Sequence, residues 1–297
     1  MCRSLLGRIV LGVVLAATVA SAQAPAFDST KAWEHVRQQL AIGPRPSGSP
    51  GNVKTRQYIT AQLTALGIKT TEQPFEGKTP IGPIKMANII GTIPGKSADR
   101  IILASHFDTK LFREVRFVGA SDGASSTGAL IELARVLKMR KDLPFSIELL
   151  FLDGEEAVIE WAGTDNTYGS RHYVEAARQS GTLKSIRALI LLDMIGDRDL
   201  TIRRESNSTR WLTDIVWATA RKLGHHQFMD EETTVEDDHL PFVRAGVPSL
   251  DIIDLDYPQW HTPQDTIDAI SARSIQIVGD VVVAALPQIE SQLLKTR

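Results

Sequence analysis

The chain has 297 residues, 43% of them hydrophobic and 23% charged, which is enough apolar material for one sizeable core or two small ones. A net charge of −2 with no long basic run excludes nucleic acid as a partner of the usual electrostatic kind. The single cysteine is Cys2, so beyond the extreme N-terminus there is no disulfide, and any metal site must be built from His and carboxylates.

In chain order, Arg3 and Arg8 precede an apolar run over 9–20, and Ala20-Ser21-Ala22 fits a small-x-small cleavage pattern before Gln23. A run this short is too brief to span a bilayer and predicts a secretory signal peptide over 1–22, with one α/β domain over 23–297. Its removal takes away two arginines and no acid, moving the net charge from −2 to −4. The expected product is an exported bacterial protein, periplasmic or secreted, monomeric and without a stable membrane span.

Helical periodicity over 32–42, with Ser29 or Thr30 as caps, leads into a turn-rich loop over 43–50. An amphipathic helix over 53–66 ends at Gly67, and residues 68–75 and 86–93 alternate as a strand pair. Residues 100–105 read as a buried strand that ends in His106-Phe107-Asp108. A Gly/Ser loop over 119–125 carries Asp122 and opens a helix over 126–139, whose small first residues permit close packing on a sheet. Residues 147–152 form another buried strand, which ends in Asp153-Gly154-Glu155-Glu156. Helix 170–179 leads to strand 188–192, which ends in Asp193-Met194-Ile195-Gly196. Helix 209–223 precedes an acidic loop over 230–239. Strand 247–253 is followed by Tyr257-Pro258-Gln259-Trp260-His261-Thr262, and helix 272–294 closes the chain. Strands alternating with helices predict a doubly wound, three-layer α/β/α fold around a mixed, mostly parallel sheet.

In such a sheet, strand ends of one polarity open on a common rim, and ligands sit there. His106, Asp122, Glu155, Glu156, Asp193 and His261 should therefore converge, although they span more than half the sequence. Hard carboxylates plus imidazole suit catalytic zinc, which keeps one position open. Adjacent glutamates on one turn point in different directions, so one can bind metal while the other handles a proton. Taken singly, each residue has an ordinary structural reading: a strand-end Asp caps the next helix, and His261 bonds a carbonyl.

The succession H-x-D, an Asp on a Gly/Ser loop, D-G-E-E, L-D-x-I-G and H-T-P-x-D-T resembles the secreted zinc aminopeptidase superfamily. Within it, six blocks resemble the animal-type glutaminyl-peptide cyclotransferases (glutaminyl cyclases) over nearly all of residues 23–297. They are 105–110 (S-H-F-D-T-K), 117–122 (F-V-G-A-S-D), 151–157 (F-L-D-G-E-E-A), 168–172 (Y-G-S-R-H), 236–242 (E-D-D-H-L-P-F) and 260–262 (W-H-T). The resemblance implies one zinc per chain on Asp122, Glu156 and His261, with Glu155 as the proton carrier. It makes Asp193 and Asp237 hydrogen-bonding acids along the proton path, and His106 a ligand type that is kept but not used. Trp161, Trp260 and Tyr257 are expected to line the pocket, with Val235 near its rim. The implied substrates are peptides or proteins with N-terminal Gln, which would become pyroglutamate with release of ammonia; acceptance of N-terminal Glu stays open. Two features favour a cyclase over a peptidase, namely the segment 157–167 that contributes Trp161, and Trp260 beside His261. Ser105 and Thr127 stand where animal enzymes carry a cysteine pair, and Asp251 where they have a histidine. The alternative is a two-zinc aminopeptidase in which His106 and Asp193 also ligate and Glu155 activates water.

Overall fold

The computed structural model describes residues 26–295, and the expected leader over 1–22 lies outside the described residues. Helices α1 (Ser29–Ile42) and α2 (Pro50–Ala65) precede a hairpin of β1 (Lys69–Thr79) and β2 (Gly82–Ile93). Strand β3 (Arg100–His106) leads through α3 (Ser126–Lys138) to β4 (Ser146–Leu152), then through α4 (Tyr168–Gln179) to β5 (Ile186–Asp193). An excursion of β6 (Ile202–Glu205), α5 (Arg210–Leu223), β7 (Phe228–Thr233) and α6 (His239–Arg244) comes before β8 (Ser249–Ile253) and α7 (Ala272–Lys295).

The main sheet has six strands in the order β1-β2-β4-β3-β5-β8, and β6 and β7 form a parallel pair beside it. Strands β4, β3, β5 and β8 run parallel, while β2 is antiparallel to both β1 and β4. The sheet is thus mixed and mostly parallel, as the sequence predicts. Alternate residues along the central strands serve opposite faces. Ile101, Leu103, Ile147, Leu149, Ile190 and Leu192 join one core with residues of α1, α2, α3, α5 and α7. Ile102, Ala104, Leu150, Leu152, Leu189 and Leu191 join another with α4 and α6. A strand buried on both faces needs apolar residues throughout, and this is why these strands read as unbroken hydrophobic runs. Helix α7 passes the length and hydropathy test for a membrane span, but it packs against α1, α3 and α5.

The structure corrects several boundaries. Asp28 rather than Ser29 or Thr30 caps α1, its carboxylate accepting from the Thr30 amide at 2.9 Å. Strand β6 is unforeseen, β7 takes up the start of the predicted acidic loop, and α6 begins at its end. The chain leaves β3 for a helix on one face and leaves β4 for a helix on the other, so a crevice opens at the carboxyl ends of these strands.

Candidate active site

The rim is held by buried side chains that bind main chain. Asp108, just past β3, accepts from the amides of Glu155 and Glu156 at 3.2 and 3.3 Å and so fixes the turn after β4. Asp153 accepts from Ser47 Oγ, Asn52 Nδ2 and the Ala87 amide at 2.7, 2.8 and 2.9 Å. Asp265 accepts from the amides of Ser121 and Asp122 and from the Tyr257 hydroxyl. Gly123 has φ +88°, and a Cβ there would lie 2.8 Å from the Asp108 carbonyl oxygen, so the loop that presents Asp122 requires glycine. Arg45 is fully buried and donates to the carbonyls of Phe107, Val118 and Gly119 at 3.0, 2.6 and 3.1 Å. Arg45→Met would leave these buried acceptors unpaired, and at about 1–3 kcal/mol for a stranded group the stability loss should be roughly 3 kcal/mol or more. Urea unfolding checks this.

Three non-glycine residues adopt left-handed backbone among the described residues: Thr167 (φ 45°), Met194 (φ 46°) and His261 (φ 53°). All three border the rim. The Thr167 amide donates to the Glu155 carbonyl at 2.8 Å, the Met194 amide donates to Asp193 Oδ1 at 2.7 Å, and His261 carries a candidate ligand atom.

The six residues expected to converge do so. His261 Nε2 lies 3.4 Å from Asp122 Oδ2 and 3.2 Å from Glu156 Oε2. His106 Nε2 lies 3.0 Å from Asp193 Oδ1 and 3.3 Å from Asp122 Oδ1. Asp122 Oδ2 and both Glu156 carboxylate oxygens are buried without a hydrogen-bond partner, a costly condition unless a cation is bound there. Burial works against charge on Asp122, but the nearby His106 and His261 rings outweigh this and hold its pKa below the usual range. Burial and the Asp122 charge push Glu156 up to about 7. Glu155 is raised well above its ordinary value, first by burial and then by the charges of Asp237, Glu156 and Asp238, with His106 opposing. Hard oxygens and imidazole nitrogen within 4.8 Å of one another fit zinc in two overlapping sets, Asp122/Glu156/His261 and His106/Asp122/Asp193.

The first set opens into a cavity of about 300 Å³, which Glu155, Asp193 and Asp237 also line. Its walls include Trp161, Trp260 and Val235. Trp161 rides on the segment after Glu156, which Asp165 organises by accepting from the amides of Val158, Ile159 and Glu160. Trp260 is 45% exposed and stacks on His261, with ring centroids 4.4 Å apart. Tyr257 departs from its expected place: it is buried against Met194 and Ile253, and its hydroxyl donates to Asp265 at 2.6 Å, so it supports the wall from behind. His106 is 1% exposed and does not line the cavity. Trp260→Leu is expected to weaken binding of a ligand in this cavity about fivefold, the effect of losing roughly 1 kcal/mol of aromatic contact. Because the ring is half exposed, the unfolding midpoint should barely move; a drop of several kcal/mol in stability would mark Trp260 as a core residue.

Fold and rim together define a metal-dependent enzyme of the zinc aminopeptidase-like class. Residues 88–286 match peptidase family M28. The glutaminyl-peptide cyclotransferase-like protein of Mus musculus is 32% identical over 270 residues, covering 81% of this chain and 70% of the mouse protein. The crystal structure of an Acidobacteriales bacterium glutaminyl cyclase superposes with a TM-score of 0.87 at 41% identity, covering 92% of this chain and 98% of that one. A structure described as a leucine aminopeptidase precursor from Bacteroides thetaiotaomicron superposes with a TM-score of 0.81 at 31% identity, covering 89% and 98%. The chain belongs to peptidase family M28 and, within it, to the glutaminyl-peptide cyclotransferases.

Proposed function

We infer that this protein is a glutaminyl-peptide cyclotransferase that converts the N-terminal Gln of peptides and proteins to pyroglutamate with release of ammonia, using one zinc per chain. The observation that carries the one-zinc reading is the contrast between the two ligand sets. Asp122, Glu156 and His261 face the cavity, two of them with unpaired oxygens. His106 lies outside it, with Nε2 already against Asp193. Zinc, when held by Asp122, Glu156 and His261, supplies Lewis-acid polarisation of a carbonyl.

The chain's own residues account for the remaining steps. The cavity folds the substrate so that its α-amine meets its own side-chain carbonyl, and Trp161, Trp260 and Val235 hold the neutral side chain. Glu155 takes the proton from the attacking amine and passes it to the leaving amide nitrogen. One carboxylate can serve both transfers if its proton affinity is raised toward neutrality, the direction in which burial and Asp237 push Glu155. Asp193 and Asp237 line the cavity beside it as hydrogen-bonding acids on the proton path.

Incubation with a short Gln-initiated peptide tests the reading, the expected result being a mass loss of one ammonia with no chain shortening. Release of the free N-terminal amino acid instead would establish the two-zinc aminopeptidase, for which every required residue is present.

A further inference from the structure

Behind the cavity wall lies a buried cluster that the chemistry above does not use. It comprises Glu205 at the end of β6, His239 at the start of α6 and Asp251 in β8, with the cavity-lining Asp237 beside them. Glu205 is the anchor. Its Oε1 accepts from the Asn207 amide, Asn207 Nδ2 and the Val235 amide at 3.0, 2.8 and 3.4 Å. Its Oε2 accepts from Ser208 Oγ at 3.0 Å and lies 3.0 Å from His239 Nε2. On the other side of the ring, His239 Nδ1 lies 3.5 Å from Asp251 Oδ2. The Asp251 amide donates to Ser208 Oγ at 3.1 Å, which ties the strand to the same anchor.

A carboxylate oxygen of Asp237, one of Asp251 and a ring nitrogen of His239 lie within 4.8 Å of one another, and Asp237 Oδ2 and both Asp251 oxygens are buried without a hydrogen-bond partner. Two carboxyl groups buried this close together cannot both stay charged, so the pair holds a proton between them. Burial and the charges of Asp237, Asp193 and Glu205 raise Asp251 well above its ordinary value, while burial and Asp193 push Asp237 up to about 8. Burial acts to raise Glu205 too, but the close approach of His239 and the hydrogen bonds from the turn prevail and bring it down to about 2. The acids facing His239 are Glu205, Asp251, Asp237 and, next to it in the chain, Asp238.

We propose that His239 is a positioning residue for the reaction: clamped by Glu205, it sets the orientation of Asp251, and through Asp251 the place of the proton shared with the cavity acid Asp237. The inference rests on the cyclisation reading above. Its consequence is that a residue with no access to substrate controls the proton inventory beside Glu155.

The test compares wild type, His239→Gln, Glu205→Gln and Asp251→Asn, singly and combined, on a Gln-initiated peptide over a range of pH. His239→Gln should lower kcat by about 10–100-fold, as loss of a group that orients a functional side chain does. KM and zinc content should stay nearly unchanged, and the pH profile of kcat should be displaced. Glu205→Gln should displace the profile in the same direction, and it carries the test if His239→Gln does not fold. Asp251→Asn offers Asp237 a permanent donor, so adding His239→Gln to it should move the profile no further, a non-additivity that a merely structural role would not produce. Lowered unfolding midpoints with an unmoved pH profile would overturn the proposal. So would a second zinc in wild type that His239→Gln removes, because the cluster would then be a metal site. If wild type releases no ammonia, the functional reading fails and this inference fails with it, whereas active wild type with unchanged variants sinks this inference alone.

Discussion

Glu155→Gln is expected to leave zinc bound and substrate docked while turnover falls by about 10²–10⁴-fold, the usual contribution of a general acid–base group. The loss should lie toward the upper end because one group serves both proton transfers. The substitution keeps shape and removes the proton carrier. The turn that presents this residue is fixed through main chain by Asp108, Thr167 and the Gly154–Tyr168 contact, none of which involves the Glu155 carboxyl group. Architecture and chemistry are therefore separable at this position. Retained zinc with activity within about tenfold of wild type, below that usual range, would transfer the role to Asp193, the neighbouring acid on the cavity wall.

The second large effect concerns the metal. Asp122→Ala, Glu156→Ala and His261→Ala should each abolish tight zinc binding and with it activity, because a catalytic site with three protein ligands tolerates no missing partner. His261→Ala is the cleanest of the three, since the ring side chain is 23% exposed and its removal disturbs little of the core. Asp122→Ala also strips a partner from His106. His106→Ala is the discriminating control and should leave metal content near one zinc per chain. Elemental analysis of wild type showing two zincs, one of them lost in His106→Ala, would return the protein to the peptidase reading.

The parts of the fold legible in the sequence were those under two-sided constraint. Residues 147–152 and 188–192 are apolar throughout because helices cover both faces of the sheet, and strand polarity then carries their acidic ends to one rim. Strand β6 (I-R-R-E) and strand β7 (F-M-D-E-E-T) carry no such signal, since the pair lies outside the main sheet and β7 is largely exposed. Helix α6 spans six residues, one of them Pro241, too few to show periodicity. Arg45 sits in a loop that reads only as turns, and its function depends on carbonyls more than sixty residues away. Asp265 lies inside a recognised block, yet nothing local reveals that it holds the Asp122 loop. Tyr257 is assigned to the wall by the resemblance alone, and nothing local in the sequence shows that its ring packs against Met194 and Ile253 with its hydroxyl on Asp265.

The left-handed residues at the rim bear on how this protein could be made more heat-resistant. A non-glycine residue in that region costs about 1–2 kcal/mol, and Thr167, being β-branched, is the least at ease there. A screen for melting temperature alone would favour glycine or asparagine at Thr167, Met194 and His261, where relaxation is largest. One of these substitutions removes a proposed metal ligand outright, and the other two loosen the chain that holds Glu155 and Asp193. Thermal robustness and turnover are thus opposed at these three positions, and durable variants should be sought on the outer helix surfaces instead.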